Sequence, residues 1–388
     1  MEQWKEYRLG DIVNLVIDYR GKTPLKLGGS WSQNGYRALS AKNIKTGAIV
    51  NEDSIRFVDE ELYRRWMKDE VQRGDIFVTS EAPFGQIYYW NSDEKIVLSQ
   101  RLFCLRLSEE VCSKFVYYYM ITNTFQAELD GRATGTTVIG LRQPELLKCK
   151  INLPSLAEQQ RIASILSSLD EKIEVNRRIN SNLEEQAKAL FKSWFIDFEP
   201  FKGGKFVDSE LGKIPEGWEV CPLEQMGKFK RGKTIVAKNT KEGTVPVVAG
   251  GMEPAYYNNV ANTKGPVITV SASGANAGFM RLYFQDIWAS DCSFLDNTNE
   301  NLLWIYCFLD NNRRVLRHAQ TGAVQPHVKP SDINSILVCV PVHELIDKFQ
   351  NVVRPLFLTI GLLQSETMRL QRTRDTLLPK LMSGEIKV

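Results

Sequence analysis

The chain is poor in the residues that most chemistry needs. Its three histidines, His318, His327 and His343, share no ligand spacing with one another or with its seven cysteines, so a tetrahedral metal site has no evident donors. Those cysteines, at 104, 112, 149, 221, 292, 307 and 339, are odd in number and never spaced as Cys-x-x-Cys. That usage argues against a disulfide framework and for reduced, mostly buried thiols in a cytoplasmic protein. No apolar run approaches the roughly 20 residues a bilayer-spanning helix needs. The opening Met1-Glu2-Gln3-Trp4-Lys5-Glu6 lacks a basic-then-apolar leader, so neither secretion nor membrane insertion is expected. Charge of one sign is scarce as well. Forty-nine Lys and Arg against 46 Asp and Glu leave a formal +3, a balance that permits nucleic acid as a partner without announcing it.

Catalytic motifs are missing in the same way. There is no Asn-Pro-Pro-aromatic or Asp-Pro-Pro-aromatic element for amino-methyl transfer, and no Gly-rich loop placed to hold S-adenosylmethionine. One phosphate-loop pattern does occur, at Gly227-Lys228-Phe229-Lys230-Arg231-Gly232-Lys233-Thr234. It binds nucleotide only between a buried strand and a helix whose N-terminus faces the phosphates. Ile235 to Pro246 includes Asn239, Thr240, Gly243 and Pro246 and carries no helical period. A basic turn against DNA phosphate, or a plain hairpin loop, is the expected role. The chain is read as non-catalytic, with no metal and no cofactor of its own.

What is present is a near-duplication. Trp4 and Leu9 reappear as Trp218 and Leu223, and Arg20-Gly21-Lys22-Thr23 returns as Arg231-Gly232-Lys233-Thr234. The offset falls from 214 (218 − 4) to 211 (231 − 20), then to 191 where Gly74 and Ser80 match Gly265 and Ser271. It settles at 187, where Thr134-Gly135 matches Thr321-Gly322 and Pro154 matches Pro341. Each copy is thus a variable globular part followed by a segment of fixed length.

The globular parts read as α+β. Asp75 to Thr79, Leu102 to Leu107 and Val267 to Val270 have strand character, and Phe115 to Leu129 and Asn301 to Leu316 have helical composition. Polar residues beside glycine recur between them. In the first copy these are Ser80 with Glu81 beside it, Gln86, Gln100, Arg101, Thr134, Thr137, Arg142 and Gln143; in the second, Ser271, Ser273, Asn276, Asp291, Thr321, Gln325, His327 and Lys329. Arg20, Lys22, Arg231 and Lys233 of the repeated tetrapeptide join them. Such side chains suit base edges and phosphates, with Arg matched to guanine and Gln or Asn to adenine. Ordinary solvated turns are the alternative for any single residue. Ser99-Gln100-Arg101 faces Ser290-Asp291-Cys292, and Arg142-Gln143 has no like-for-like counterpart near His327 to Lys329. If these loops read DNA, the two halves read different sequences.

After each globular part, apolar residues follow a 4-3 spacing. The first seam is Ile162, Leu166, Leu169, Ile173, Asn176, Asn180, Leu183, Ala187, Leu190 and Trp194. The second is Phe349, Val353, Leu356, Ile360, Leu363, Thr367, Leu370, Arg374, Leu377 and Leu381. This predicts two helices, each about 60 Å long at 1.5 Å per residue, paired as an antiparallel coiled coil related by an approximate twofold. Amphipathic helices packed separately on their own domains are the alternative. Asn176 and Asn180 place polar groups mid-seam, where they fix register. Pro355 is expected to kink or divide the second helix near its start, and Pro379 to end it.

These residues together closely resemble the DNA specificity subunit of type I restriction-modification systems, over essentially the whole chain. The strongest matches are Asp208-Ser209-Glu210-Leu211-Gly212-Lys213-Ile214-Pro215-Glu216-Gly217-Trp218 and Leu378-Pro379-Lys380-Leu381-Met382-Ser383-Gly384-Glu385-Ile386. Leu153-Pro154 followed by Ala157-Glu158-Gln159-Gln160-Arg161-Ile162, and Leu190 to Phe198 with Trp194-Phe195, add two more. The resemblance implies a target-recognition domain over 1–153, a spacer helix over 154–198, a linker over 199–217, a second recognition domain over 218–340 and a distal spacer helix over 341–388. It implies binding to a bipartite double-stranded DNA target. It further implies two modification subunits that methylate adenine with S-adenosylmethionine, and restriction subunits that translocate and cleave DNA with ATP and Mg. A coiled-coil scaffold whose globular ends bind proteins remains the competing reading.

Overall fold

The computed structural model describes residues 4–135, 139–318 and 326–388, with the backbone alone at 317 and 318. It divides into two compact units, Met1–Ile173 with Arg369–Val388, and Glu174–Met368.

The first unit is built on a four-stranded antiparallel sheet in the order Val13–Asp18, Leu102–Leu107, Ile76–Thr79, Ile87–Tyr89. The run Ile76-Phe77-Val78 is fully buried because both faces of the sheet are covered. Alternation sorts its side chains: Ile76 and Val78 enter one apolar cluster, with Phe103, Phe115 and Tyr118, while Phe77 enters another, with Leu102, Trp66 and Trp90. Helices Ser113–Met120 and Asn123–Arg132 contribute to the first cluster. A three-stranded sheet, Arg56–Val58, Tyr36–Leu39 and Val97–Leu98, contributes to the second. Strand Lys5–Arg8 pairs with Lys150–Leu153, tying the start of the unit to its end.

The second unit repeats this plan. Its four-stranded sheet runs Lys230–Arg231, Cys292–Asp296, Val267–Ser271, Met280–Tyr283, again antiparallel. Its three-stranded sheet is Tyr256–Asn258, Val245–Val248 and Trp288–Ala289, and Glu219–Pro222 pairs with Leu337–Val340. In both three-stranded sheets one pair is antiparallel and the other parallel. The offset loss of 20 residues (211 − 191) falls where the first unit carries the Ile44–Lys45 and Ala48–Ile49 hairpin and helix Glu60–Trp66. Asp59 caps that helix by accepting from the Leu62 N–H at 2.8 Å. Its buried face carries Leu62, Tyr63 and Trp66.

The expected helix over Phe115 to Leu129 is interrupted: Thr122 caps a new helix by accepting from the Phe125 N–H. Asn301 to Leu316 likewise gives two helices, Leu302–Asn311 and Arg313–His318. Between residues 199 and 217 lie a short 3-10 turn, Glu199–Phe201, and a hairpin of Phe206–Ser209 with Gly212–Pro215.

Two helices of 40 residues each, Leu156–Phe195 and His343–Met382, contribute to both units. Within the first unit, Arg374 meets Asp170 at 2.7 Å, and Ile162 and Leu166 share a cluster with Leu381 and Met382. Within the second, Asn176 Nδ2 donates to Glu366 at 2.7 Å, and the rings of Phe191 and Phe349 lie 5.6 Å apart. Partner numbers fall as first-helix numbers rise, so the helices run antiparallel in each unit. Ile162, Leu166, Ile173, Val353 and Ile360 are buried; Leu169, Leu183, Leu190, Leu356, Leu363, Leu370 and Leu377 are half-buried.

Pro355 does not divide the second helix, and Pro379 does not end it. The helix continues through Pro355 and through Pro379 to Met382. Each proline deprives the carbonyl four residues earlier of its N–H partner. Those carbonyls belong to Asn351 and Asp375, both exposed, where water can serve them.

Candidate nucleic-acid interface

The strand plan gathers the predicted residues onto one edge of each four-stranded sheet. In the first unit Phe103 is in register with Asp18, and Leu102 with Thr79. The chain leaving Asp18, the chain leaving Thr79 and the chain entering Leu102 therefore meet, bringing Arg20, Ser80, Glu81, Gln100 and Arg101 together. The Leu141 N–H donates to the Ser80 carbonyl at 2.9 Å, and a bridge joins Thr134 to Gly140. These contacts bring Arg142 to the same edge as the residue preceding helix Gln143–Leu147, with Gln143 half-buried behind it.

Proximity does not make every candidate available. Arg20 donates to both oxygens of Asp18, at 2.8 Å each, and its guanidinium lies 3.9 Å from the Phe103 ring centre. Lys22 donates to the Trp66 carbonyl and stands 3.6 Å from the Tyr19 ring centre; burial lowers its pKa. Gln86 uses its amide oxygen to accept from the Thr46 N–H at 2.9 Å. Ser80 is buried. Those four side chains hold the fold. Gln100, Arg101, Thr134 and Arg142 remain exposed.

Arg101 stands apart in its backbone. With φ of +63° it occupies the left-handed region, and Ala82, across from it, does so at +42°. Such placements cost on the order of 1–3 kcal/mol each for residues with a side chain. The Arg101 carbonyl accepts from the Ser80 N–H at 2.9 Å, and Arg101 Nε lies 2.9 Å from Glu81 Oε1 in an ion pair. Glu81 was noted in the sequence beside Ser80 but not assigned to DNA contact. Its signal was only its place, between the end of a strand and Ala82-Pro83.

The second unit assembles the matching edge from Arg231, Ser271, Ser273, Asn276, Asp291 and His327. Ser271 is in register with Cys292, and Arg231 with Ser293. A bridge joins Ser273 to His327, and the Val328 N–H donates to the Ala272 carbonyl at 2.9 Å, as Leu141 does in the first unit. Asp291 is the hub, accepting from Arg231 Nη2 on one oxygen and from Ser273 Oγ at 2.7 Å on the other. Ser271 is buried and donates to the Gly250 carbonyl at 3.1 Å. Asn276 is half-buried in the 3-10 turn Gly274–Asn276, and Lys233 is exposed.

The structure sharpens two sequence readings here. Arg142 does have a counterpart: Lys329 immediately precedes helix Pro330–Asn334, as Arg142 precedes Gln143–Leu147. Both are exposed and basic, but only arginine offers a planar fork. The phosphate-loop pattern is also resolved. Lys230–Arg231 is a two-residue strand, and the next element is the 3-10 turn Ala237–Asn239, so no helix N-terminus is aimed at a phosphate. Thr137, Thr321 and Gln325 lie outside the described residues.

Comparison with known proteins agrees with this architecture. A family model described as the type I restriction modification DNA specificity domain matches residues 1–185 and 215–350. The chain belongs to that family. It is 32% identical over 340 residues to the type I restriction enzyme MjaIX specificity subunit of Methanocaldococcus jannaschii, covering 81% of this chain and 78% of that one. It is 24% identical to the type I restriction enzyme HindI specificity subunit of Haemophilus influenzae, covering 100% of both chains. Among solved structures, the type I restriction-modification S subunit from M. genitalium superposes with a TM-score of 0.65 at 20% identity, covering 98% of this chain and 96% of that one. Membership gives this chain a role in DNA sequence specificity and not in catalysis. Among the described residues no helix is long and apolar enough to cross a membrane.

Proposed function

We propose that this chain binds a bipartite, asymmetric double-stranded DNA target, one half-site at each sheet edge, and directs the other subunits of a type I restriction-modification complex to it. One observation carries this reading. Two units share a strand plan, yet the polar edges differ in charge and chemistry: Glu81, Arg101 and Arg142 in one, Arg231, Asp291 and Lys329 in the other. A shared scaffold with unlike edges suits two unlike half-sites.

On this reading the recognition domains extend over 1–153 and 218–340, joined by spacer helices over 154–198 and 341–388 and by the linker 199–217. The seam residues hold the spacer, while Gln100, Thr134, Lys233, Asn276, His327 and Lys329 supply further contacts. Two modification subunits methylate adenine with S-adenosylmethionine, and restriction subunits use ATP and Mg; those cofactors belong to the partners. The complex works in the cytoplasm, where the host DNA lies.

Sequencing methylated DNA from cells carrying the complete system tests the proposal. The expected result is a split motif with unlike halves. Methylation without sequence preference overturns it. An insertion between Asn176 and Asn180 is expected to change the spacer and leave both half-sites intact. Binding of the assembled complex to duplex should fall steeply with salt, by a log–log slope near −0.9 per phosphate contact; a flat response favours a protein-binding scaffold. Arg142→Ala is expected to cost about 1–3 kcal/mol at one base of the first half-site if its fork meets guanine. A uniform loss assigns Arg142 to phosphate.

A further inference from the structure

We infer that Arg101 reads a guanine in the half-site of the first unit, and that Glu81 is the positioning residue that aims it. The inference rests on the DNA-recognition reading above and deepens it to one base.

Glu81 Oε1 lies 2.9 Å from Arg101 Nε, the closest approach of the pair. With the carboxylate nearest Nε, the edge formed by the two terminal nitrogens is left for another partner. That is the fork which matches O6 and N7 of guanine. Half of the Arg101 side chain is exposed, against 35% of Glu81, so the holder is more enclosed than the reader. The backbone enforces the same geometry. Arg101 and Ala82 both take left-handed conformations, and the Ser80 N–H to Arg101 carbonyl bond locks the two turns together. Gly140 closes the far side: a Cβ there would stand 3.5 Å from Glu81 Oε2. The carboxylate is thus confined between Arg101 and the 139–142 segment.

The second unit supplies the contrast. Arg231 meets Asp291 through Nη2, one of the two nitrogens a guanine contact needs, and the other oxygen of Asp291 already accepts from Ser273. Arg231 is engaged at one nitrogen of its fork, whereas the carboxylate beside Arg101 comes closest at Nε. Position 292, which corresponds to Arg101 at the 191 offset, is a buried cysteine. Among the described residues, the first edge alone sets a carboxylate beside an arginine without occupying its fork.

The test selects a randomised duplex library with the assembled complex, using the full chain and its partner subunits, and compares variants. Arg101→Ala is expected to lower preference for guanine at one position by about 10- to 100-fold, with the other half-site unchanged. Glu81→Gln, which keeps shape but removes charge, should weaken the same position without altering the salt dependence. Arg101→Lys should fail to restore it, because an ammonium cannot make the paired contact. Loss spread evenly over all sequences, an effect confined to a base other than guanine, or an unchanged motif in both Arg101→Ala and Glu81→Gln overturns the inference. If the wild-type complex itself selects no motif, the failure lies with the DNA-recognition reading instead. Should Arg101→Ala not assemble, the isosteric Glu81→Gln and the charge-preserving Arg101→Lys decide the matter.

Discussion

Where the first unit buries Asp75 beneath its central strand, the second unit has Pro266. Asp75 is 2% exposed and accepts from Arg106 Nε at 3.0 Å, from Arg106 Nη2 at 2.8 Å and from the Gln72 N–H at 2.8 Å. Pro266 can do none of this, and the strand entry in the second unit is pinned differently. The Gly265 N–H donates to Asp286 at 3.0 Å, and Lys264 meets the same carboxylate at 3.2 Å, in an exposed setting that lowers its pKa through those two contacts. One strand plan is therefore secured by a buried ion pair in one unit and by a solvated turn in the other. Strand register follows from the apolar pattern they share, so the polar fastenings were free to diverge.

The largest expected effect breaks the buried fastening. Asp75→Ala leaves the half-buried Arg106 guanidinium with only the Glu70 carbonyl, at 2.6 Å, and should cost about 3 kcal/mol. Hydrogen exchange should show the loss in the Ile76–Thr79 and Leu102–Leu107 strands, with the second unit unaffected. Asp286→Ala, the matched change, should cost under about 1 kcal/mol, as exposed pairs do. Equal costs would sink the comparison.

A second contrast concerns the tetrapeptide that the two units share letter for letter. A Cβ on Gly232 would stand 2.3 Å from the Ser290 carbonyl oxygen, whereas one on Gly21 would meet nothing within 4 Å. Gly232→Ala should therefore destabilise the second unit by about 1–3 kcal/mol as the backbone moves apart. Gly21→Ala should stay within about 0.5 kcal/mol. Thermal unfolding of the two variants decides whether identical letters carry one constraint or two.

The smallest effect concerns position 292, where the second unit has cysteine against Arg101. Burial pushes the Cys292 thiol up to about 12. The folded state then holds its proton more tightly than the unfolded chain, whose thiol titrates near 8.5. The associated stability is full below that value and declines as pH rises through the folded pKa. Iodoacetamide at pH 8 should leave Cys292 untouched and the DNA motif unchanged. Rapid labelling in the folded protein would contradict the buried assignment.

Much of the fold was legible because repetition and periodicity are local properties. The shrinking offset located the inserted helix Glu60–Trp66, since 20 extra residues must go somewhere. The 4-3 spacing of apolar residues marked two long helices, which are antiparallel in each unit. The division expected at Pro355 and the end expected at Pro379 failed because residue type was weighed without its surroundings. At Pro355 and Pro379 the orphaned carbonyls lie at exposed residues, so the helix has no buried polar group to protect. The candidate edge was legible only in outline. Arg20, Lys22 and Gln86 have the right chemistry for DNA, yet each is committed to a partner within its own unit. Glu81 was noted beside Ser80 but given no role, because a lone carboxylate has no sequence signature.

The amino-acid sequence by itself determined the duplication, the strands with their alternating faces and the two long helices. Those depend on spacing along one chain, which a reader can count. Tertiary structure alone decided which polar side chains are spent on ion pairs, which arginine meets a carboxylate nearest Nε and which at its fork, and which glycine a neighbouring carbonyl forbids to change. Those outcomes depend on atoms brought within about 3 Å from positions far apart in the chain, and no local pattern records that distance.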